Sequence, residues 1–125
     1  MVTHVEHLEK VLNHFVDSYN ILKEFDDKPG DLDHIKKELL KVNGFLKVLT
    51  NKIDSKNIPL SDFKELQVKF NHYLENYSFE AEIDTMTPLY FDDTHRIKNM
   101  RLKILEALEH THMMENVGDF LKKND

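Results

Sequence analysis

The sequence predicts an all-α protein, an up-and-down antiparallel four-helix bundle formed as a single domain over residues 1–125. Three observations predict it. Leu32, Ile35, Leu39, Val42, Leu46, Leu49 and Ile53 recur at alternating spacings of 3 and 4, the period of a helix with one buried face. Three further segments carry stripes of the same kind. Gly and Pro number only 3 each, few for a β-rich chain with many turns.

The first helix is expected over about 3–25, with Val5, Leu8, Leu12, Phe15, Tyr19 and Leu22 as its stripe, widened by Val11 and Val16. Asp26-Asp27-Lys28-Pro29-Gly30 stops it, because Pro cannot continue the hydrogen-bond ladder and Gly favours turns. Asp31 suits the N-cap of a second helix, about 31–54. Ser55 to Pro59 breaks the pattern. Ser61 can cap a third helix, about 61–80, with Asp62 and Glu65 where negative charge suits the helix dipole. Its stripe is Phe63, Leu66, Phe70, Tyr73 and Tyr77. From Ser78 to Asp93 the period is lost and Pro88 forbids a simple helix interior, so a long connection is expected. A fourth helix, about 93–117, opens at Asp93 or Thr94 and carries Ile97, Met100, Ile104, Ala107, Leu108, Thr111, Met114 and Val117. Gly118 is expected to stop it, leaving a short tail, 118–125, with Phe120 and Leu121.

Comparable lengths and short connections make consecutive helices antiparallel. The first and third connections then share one end of the bundle. That end collects Glu24, Asp26, Asp27, Asp31, Asp33, Glu80, Glu82, Asp84, Asp92 and Asp93, offset in part by Lys23, Lys28 and Arg96, beside Phe79, Met86, Leu89, Tyr90 and Phe91, whereas His4, His7, Lys52, Lys56, His110, His112, Lys122 and Lys123 are expected at the other. Carboxylates beside aromatic faces suit a cationic or amphipathic peptide. Asp26, Asp27, Tyr90, Phe91, Asp92 and Asp93 are therefore one candidate partner-binding set. The competing expectation is that the aromatics plug the open end of the core and the acids cap helices.

A second candidate lies on the second helix. At 100° per residue, Gly44 falls opposite the core stripe, with Leu40 and Val48 one turn away on either side and Lys37, Lys41 and Lys47 around them. A Gly inside an exposed helix costs about 1 kcal/mol relative to Ala, which close approach of another backbone would explain. Leu40, Gly44 and Val48 are thus a candidate face for a protein partner or a second copy; the competing expectation is incidental surface apolarity or cover by the tail. Leu102 and Leu105 lie off the last stripe in the same way.

A formal net charge of −6 disfavours nucleic-acid binding through phosphates. No stretch approaches the ~20 apolar residues that insert across a membrane. The N-terminus is charged from the start and is not expected to be a signal peptide. Cys is absent, which rules out disulfides and thiolate chemistry and fits a cytoplasmic location. Protonating all 8 His would move the net charge from −6 to +2, so association can depend on pH.

A His-rich helical bundle invites comparison with the hemerythrin-like di-iron proteins. His34 with Glu38, His110 with Glu115, and His14 and His72 are the relevant residues. The comparison fails on geometry, because His34 and His110 fall at different levels and His14 and His72 lie outside their core stripes. The inward Glu-x-x-His pairs of ferritin-like sites are not evident. Asp27 to Glu38 has the length of an EF-hand loop but places Pro29 and Leu32 where a ligand and Gly belong. His4/His7 and His110/His112 imply no fixed zinc set. The Ser residues sit in no nucleophile context, and no Gly-rich phosphate loop exists. No catalytic residue, metal or cofactor is therefore expected. The sequence favours a small soluble binding or regulatory protein acting through protein–protein contacts; the alternative is a His/acid-dependent metalloprotein or enzyme.

Overall fold

A computed structural model of the chain describes residues 4–51 and 61–123. Among them every regular element is helical: α1 (His4–Glu24), α2 (Asp31–Asn51), α3 (Ser61–Asn76), α4 (Glu80–Leu89), α5 (Thr94–Glu109), a 3-10 turn (His110–His112) and α6 (Met113–Lys123). The stripes are the core. Leu8, Leu12, Phe15, Tyr19 and Leu22 of α1, Leu32 to Leu49 of the α2 stripe, and Phe63, Leu66, Phe70 and Tyr73 of α3 are all buried in one cluster. Val5, Ile53, His4, Lys52, Lys56 and the expected break at 55–59 lie outside the residues whose side chains or backbone are described.

Contacts at their two ends set α1 and α2, α2 and α3, and α1 and α5 antiparallel to one another. Phe25 meets His34 and His14 meets Phe45, so α1 and α2 descend past each other. Gln67 donates to the Leu49 carbonyl while Tyr73 donates to Asn43, which orients α3 against α2 in the same way. Tyr19 donates to Glu109, and Arg101 reaches the Leu22 carbonyl, which sets α5 against α1. Phe63 packs against Phe120, which sets α6 against α3.

The four continuous helices expected from sequence do not form. The third ends at Asn76 rather than 80, and the supposed connection 78–93 is largely the helix α4. Phe79, Ile83 and Met86, spaced 4 and 3, give α4 a short inward stripe, with Ile83 fully buried. Pro88 stands one residue before the end of α4, so the bond it cannot donate to the Asp84 carbonyl and the crowding of its ring fall on the last turn, and the helix stops at Leu89. The fourth helix is cut at His110–His112, where Thr111 adopts φ 61 and ψ 16. The cut rotates the following turn, so Met113, Val117 and Phe120 face inward, Thr111 is exposed and Met114 is half-buried. Gly118 is therefore not a stop; it lies exposed inside α6, and the tail is helical to Lys123. Leu105 belongs to the core, since α5 packs against α1, α2 and α6 and buries a wide arc, whereas Leu102 is exposed.

The two breaks meet. Ser78 and Phe79 (φ 44 and 64) and Thr111 and His112 (φ 61 and 60) occupy the left-handed region, which non-glycine residues avoid. The Tyr77 ring lies 6.4 Å from that of His110, and His72 stacks on His110 at 6.2 Å. His110 thus sits beside the α3–α4 break, not at the far end of the bundle. The α3–α4 break is held by Asn43 of α2, which is 1% exposed. Its amide donates to the Ser78 carbonyl at 2.9 Å and to Glu80 Oε2 at 3.1 Å, and its oxygen accepts from the Tyr73 hydroxyl at 2.9 Å.

Asn43→Ala should destabilise the fold by about 2 kcal/mol in urea unfolding, because it strands the Tyr73 hydroxyl and the Ser78 carbonyl in a buried setting. A loss within error of zero would show that the break closes without it. Burial and the Glu80 carboxylate push the Tyr73 phenol up, while burial, the hydrogen bond to Glu109 and that carboxylate's charge do the same for Tyr19. The neutral forms of both are favoured by folding. Their contribution is complete below the unfolded tyrosine pKa of about 10 and is lost as the pH rises above it. Phenolate absorbance from Tyr19 and Tyr73 should therefore appear only with unfolding; their titration in the folded state near pH 10 would contradict this.

Candidate protein-binding site

The acidic-aromatic end is assembled by two turns. Asp27 (φ 61) and Gly30 (φ 90) bend the α1–α2 connection, and the Gly30 amide donates to the Phe91 carbonyl at 3.0 Å. A Cβ at Gly30 would lie 3.4 Å from the Phe91 ring, so a residue without one suits both the backbone angle and the approach. Asp31 begins α2, and its carboxylate accepts from the Lys28 amide at 3.0 Å, closing the turn ahead of the helix. On the other side, Asp93 caps α5 by accepting from the Arg96 amide at 3.1 Å. The first and third connections thus do lie side by side.

Each of the candidate residues has a definite place there. Asp27 is committed inward: its carboxylate takes a bidentate pair from Arg101 at 2.7 and 2.9 Å, both side chains being 11% exposed. Hydrogen bonding to Asp27 holds the Arg101 guanidinium above its ordinary pKa against the opposing effect of burial. Asp26 is exposed and lies 3.6 Å from Lys28. Tyr90 carries the Arg96 guanidinium over its ring at 4.2 Å, and Arg96 also faces the Asp93 carboxylate at 3.5 Å. Asp92 is exposed, with no ion pair among the described residues. Leu89 is 66% exposed and Phe91 46%, large apolar groups turned to solvent. Pro88 to Asp93 border an open hollow of about 480 Å³.

Three acids counted at this end from the sequence are occupied instead with α4. Glu80 pairs with Lys47 at 3.4 Å, Asp84 with Lys36, and Glu82 with Lys103 at 2.9 Å. They fix α4 to α2 and α5. Of the acids expected at this end, Glu24, Asp33 and Asp92 are exposed and without an ion pair among the described residues, and Asp92 adjoins Phe91 in the chain.

The second candidate face is narrower than expected. Leu40 is exposed, and a Cβ at Gly44 would meet nothing within 4 Å. Val48, however, is half-buried against the core, because α2 turns that edge toward its neighbours. Lys41 is 3.3 Å from Glu38 and Lys47 is drawn to Glu80. The tail is no cover for this face, since α6 lies against α3, α5 and α1.

No group of three or more His, Asp or Glu converges among the described residues. His34 stacks on Phe25, His14 on Phe45 and His72 on His110, while His112 lies 3.3 Å from Glu115. Sequence reasoning missed Asn43 and the burial of Glu38, whose Oε1 is buried without a partner. The available signal was position: both flank the α2 stripe within one residue of Leu39 or Val42. Compared with protein-family models, curated proteins and solved structures, the chain has no match.

Gly44→Ala should raise the stability of the isolated chain by about 1 kcal/mol, from helix propensity alone, measured by thermal or urea unfolding. If the Leu40–Gly44–Val48 face seats another backbone, light scattering will show weaker self-association or partner binding in this more stable variant. An unchanged assembly would remove the face from consideration.

Proposed function

We propose that this is a small binding or regulatory protein that acts in the cytoplasm through protein–protein contacts, taking a cationic, amphipathic segment of its partner at the acidic-aromatic end. The supporting observation is Arg96. Its guanidinium already rests on Tyr90 with Asp93 beside it, so this end accommodates a cation by ring face and carboxylate together. Phe91, Leu89 and Asp92 offer a second, unoccupied version of the same combination at the surface. The excess of acids over bases in the chain favours encounter with a basic partner over an acidic one.

We also read the architecture as a four-rod antiparallel bundle in which α3–α4 and α5–α6 are two broken rods. The antiparallel pairings and the shared level of the two breaks support this. The alternative of a His/acid-dependent metalloprotein or enzyme draws no support from the His contacts, which among the described residues are ring contacts, the His72–Asn76 hydrogen bond and one surface pair.

Calorimetric titration with a synthetic Arg/Leu amphipathic peptide and its Glu/Leu counterpart tests the proposal. The cationic peptide should bind, weaken as salt is raised because exposed charges are screened, and lose affinity about tenfold, or ~1.4 kcal/mol, with Asp92→Lys. The acidic peptide should not bind. Equal binding of the two, or none of either, would overturn the proposal.

A further inference from the structure

α4 and α5 both lie against α2, yet they touch each other sparsely. The side-chain link spanning the gap is Lys103 Nζ to Glu82 Oε1 at 2.9 Å, with both groups largely exposed. On one side of this bridge the gap opens into a cleft of about 310 Å³, walled by Tyr77 and Phe79 and floored by Ala107. On the other side lies a hollow of about 190 Å³ bordered by Met86, Arg96 and Met100. Lys103 borders both. Arg96 in turn stacks on Tyr90, which borders the hollow at the acidic-aromatic end. The three depressions therefore follow one another along α5, over roughly 20 Å at 1.5 Å rise per residue.

The far cleft is a consequence of both helix breaks. Phe79, in the left-handed region at φ 64, stacks with Tyr77 at 5.9 Å instead of continuing the α3 stripe. Opposite, α5 ends at Glu109 and His110 closes the cleft edge-on to Tyr77. Ala107 leaves the floor open, where a larger side chain would fill it. Glu106 stands at the rim, exposed and without an ion pair among the described residues. Asp92 holds the equivalent position at the other end of the track. Two carboxylates without ion pairs among the described residues thus stand at the ends of a track walled by Tyr77 and Met86 over buried Phe79, Met100 and Ala107, in which the charges of Arg96 and Lys103 are offset by Asp93 and Glu82.

The complement of that pattern is an amphipathic segment with a basic residue near each end and apolar side chains between. We infer that the cationic segment proposed above lies along the α4–α5 gap. One apolar side chain enters the Tyr77–Phe79–Ala107–His110 cleft, and a basic group sits beside Glu106. Glu82 is available to a passing lysine or arginine once it exchanges away from Lys103. This inference rests on the proposed function for the nature of the partner, but it assigns a separate site.

The test uses the full chain, labelled with ¹⁵N, and a synthetic 14-residue Leu/Lys amphipathic peptide as probe, with the Leu/Glu peptide as control. Amide shifts are expected at Phe79, Lys103, Ala107 and His110 as well as over 88–93. Glu106→Lys, on an exposed position, should weaken the Leu/Lys peptide about tenfold. Ala107→Met should abolish the shifts at Phe79 and His110 while the fold, checked by its own amide spectrum, is kept. If Ala107→Met fails to fold, Glu106→Lys decides alone. Shifts confined to 88–93 and insensitive to Glu106→Lys would overturn the gap as the seat and leave the proposed function standing. Absence of shifts with the Leu/Lys peptide would overturn both. The same shifts produced by raising protein concentration without peptide would mean that a second copy occupies the gap, and would overturn the peptide assignment.

Discussion

The carboxamide of Asn43 is the constraint on which the rest of this fold depends. A long helix that ends inside a bundle leaves carbonyls without partners, and burial makes each of them costly. α3 ends in that situation at Tyr73–Ser78. Asn43 answers with both of its groups, accepting from the Tyr73 hydroxyl and donating to the Ser78 carbonyl and to Glu80. The chain is thereby allowed to leave the α3 axis and restart as α4 on the same neighbour. Everything on the α4 side of the molecule follows from that: the buried Ile83, the three lysine–carboxylate pairs and the gap beside α5.

A comparable clamp acts on the other side. Arg101 joins α5 to the α1–α2 connection by its bidentate pair with Asp27, and it also reaches the carbonyls of Leu22 and Lys23 at the end of α1. One planar guanidinium thus satisfies a turn carboxylate and lies against the exit of a helix. With Gly30 bonded to the Phe91 carbonyl, the two connections are locked side by side. The acidic-aromatic end is a built surface, with its aromatic groups held by backbone bonds and stacking, and with Leu89, Phe91 and Asp92 left to solvent.

Much of this was legible in the residues. The described members of the α1 and α2 stripes and the first four members of the α3 stripe are buried as their spacing implies, because a 3-4 period leaves a helix only one apolar face to bury. Asp93 caps α5 because a short carboxylate ahead of a helix meets its free amides. The meeting of the first and third connections followed from antiparallel neighbours. What was not legible has a common cause. Phe79–Ile83–Met86 is too short a stripe to stand out, and Pro88 masked it, although a Pro in the last turn disturbs only the end of a helix. Thr111 falls on the continuing period of α5 and gives no local reason to turn left-handed. Glu80, Glu82 and Asp84 look like free acids until α2 and α5 bring lysines to them.

The sequence by itself determined the class of the fold and the inward face of each long helix, because hydrophobic period is a local property that a chain carries before it folds. It also determined which charges are near which turns. Only the tertiary structure decided where two of the long helices break, since those breaks are stable only with partners from elsewhere: Asn43 for Ser78, and Lys69, whose Nζ donates to the Thr111 carbonyl at 2.7 Å. It likewise decided which carboxylates are spent on holding helices and which are left exposed. Pairing depends on side chains up to 90 residues apart, as between Tyr19 and Glu109, and no local pattern records such a meeting.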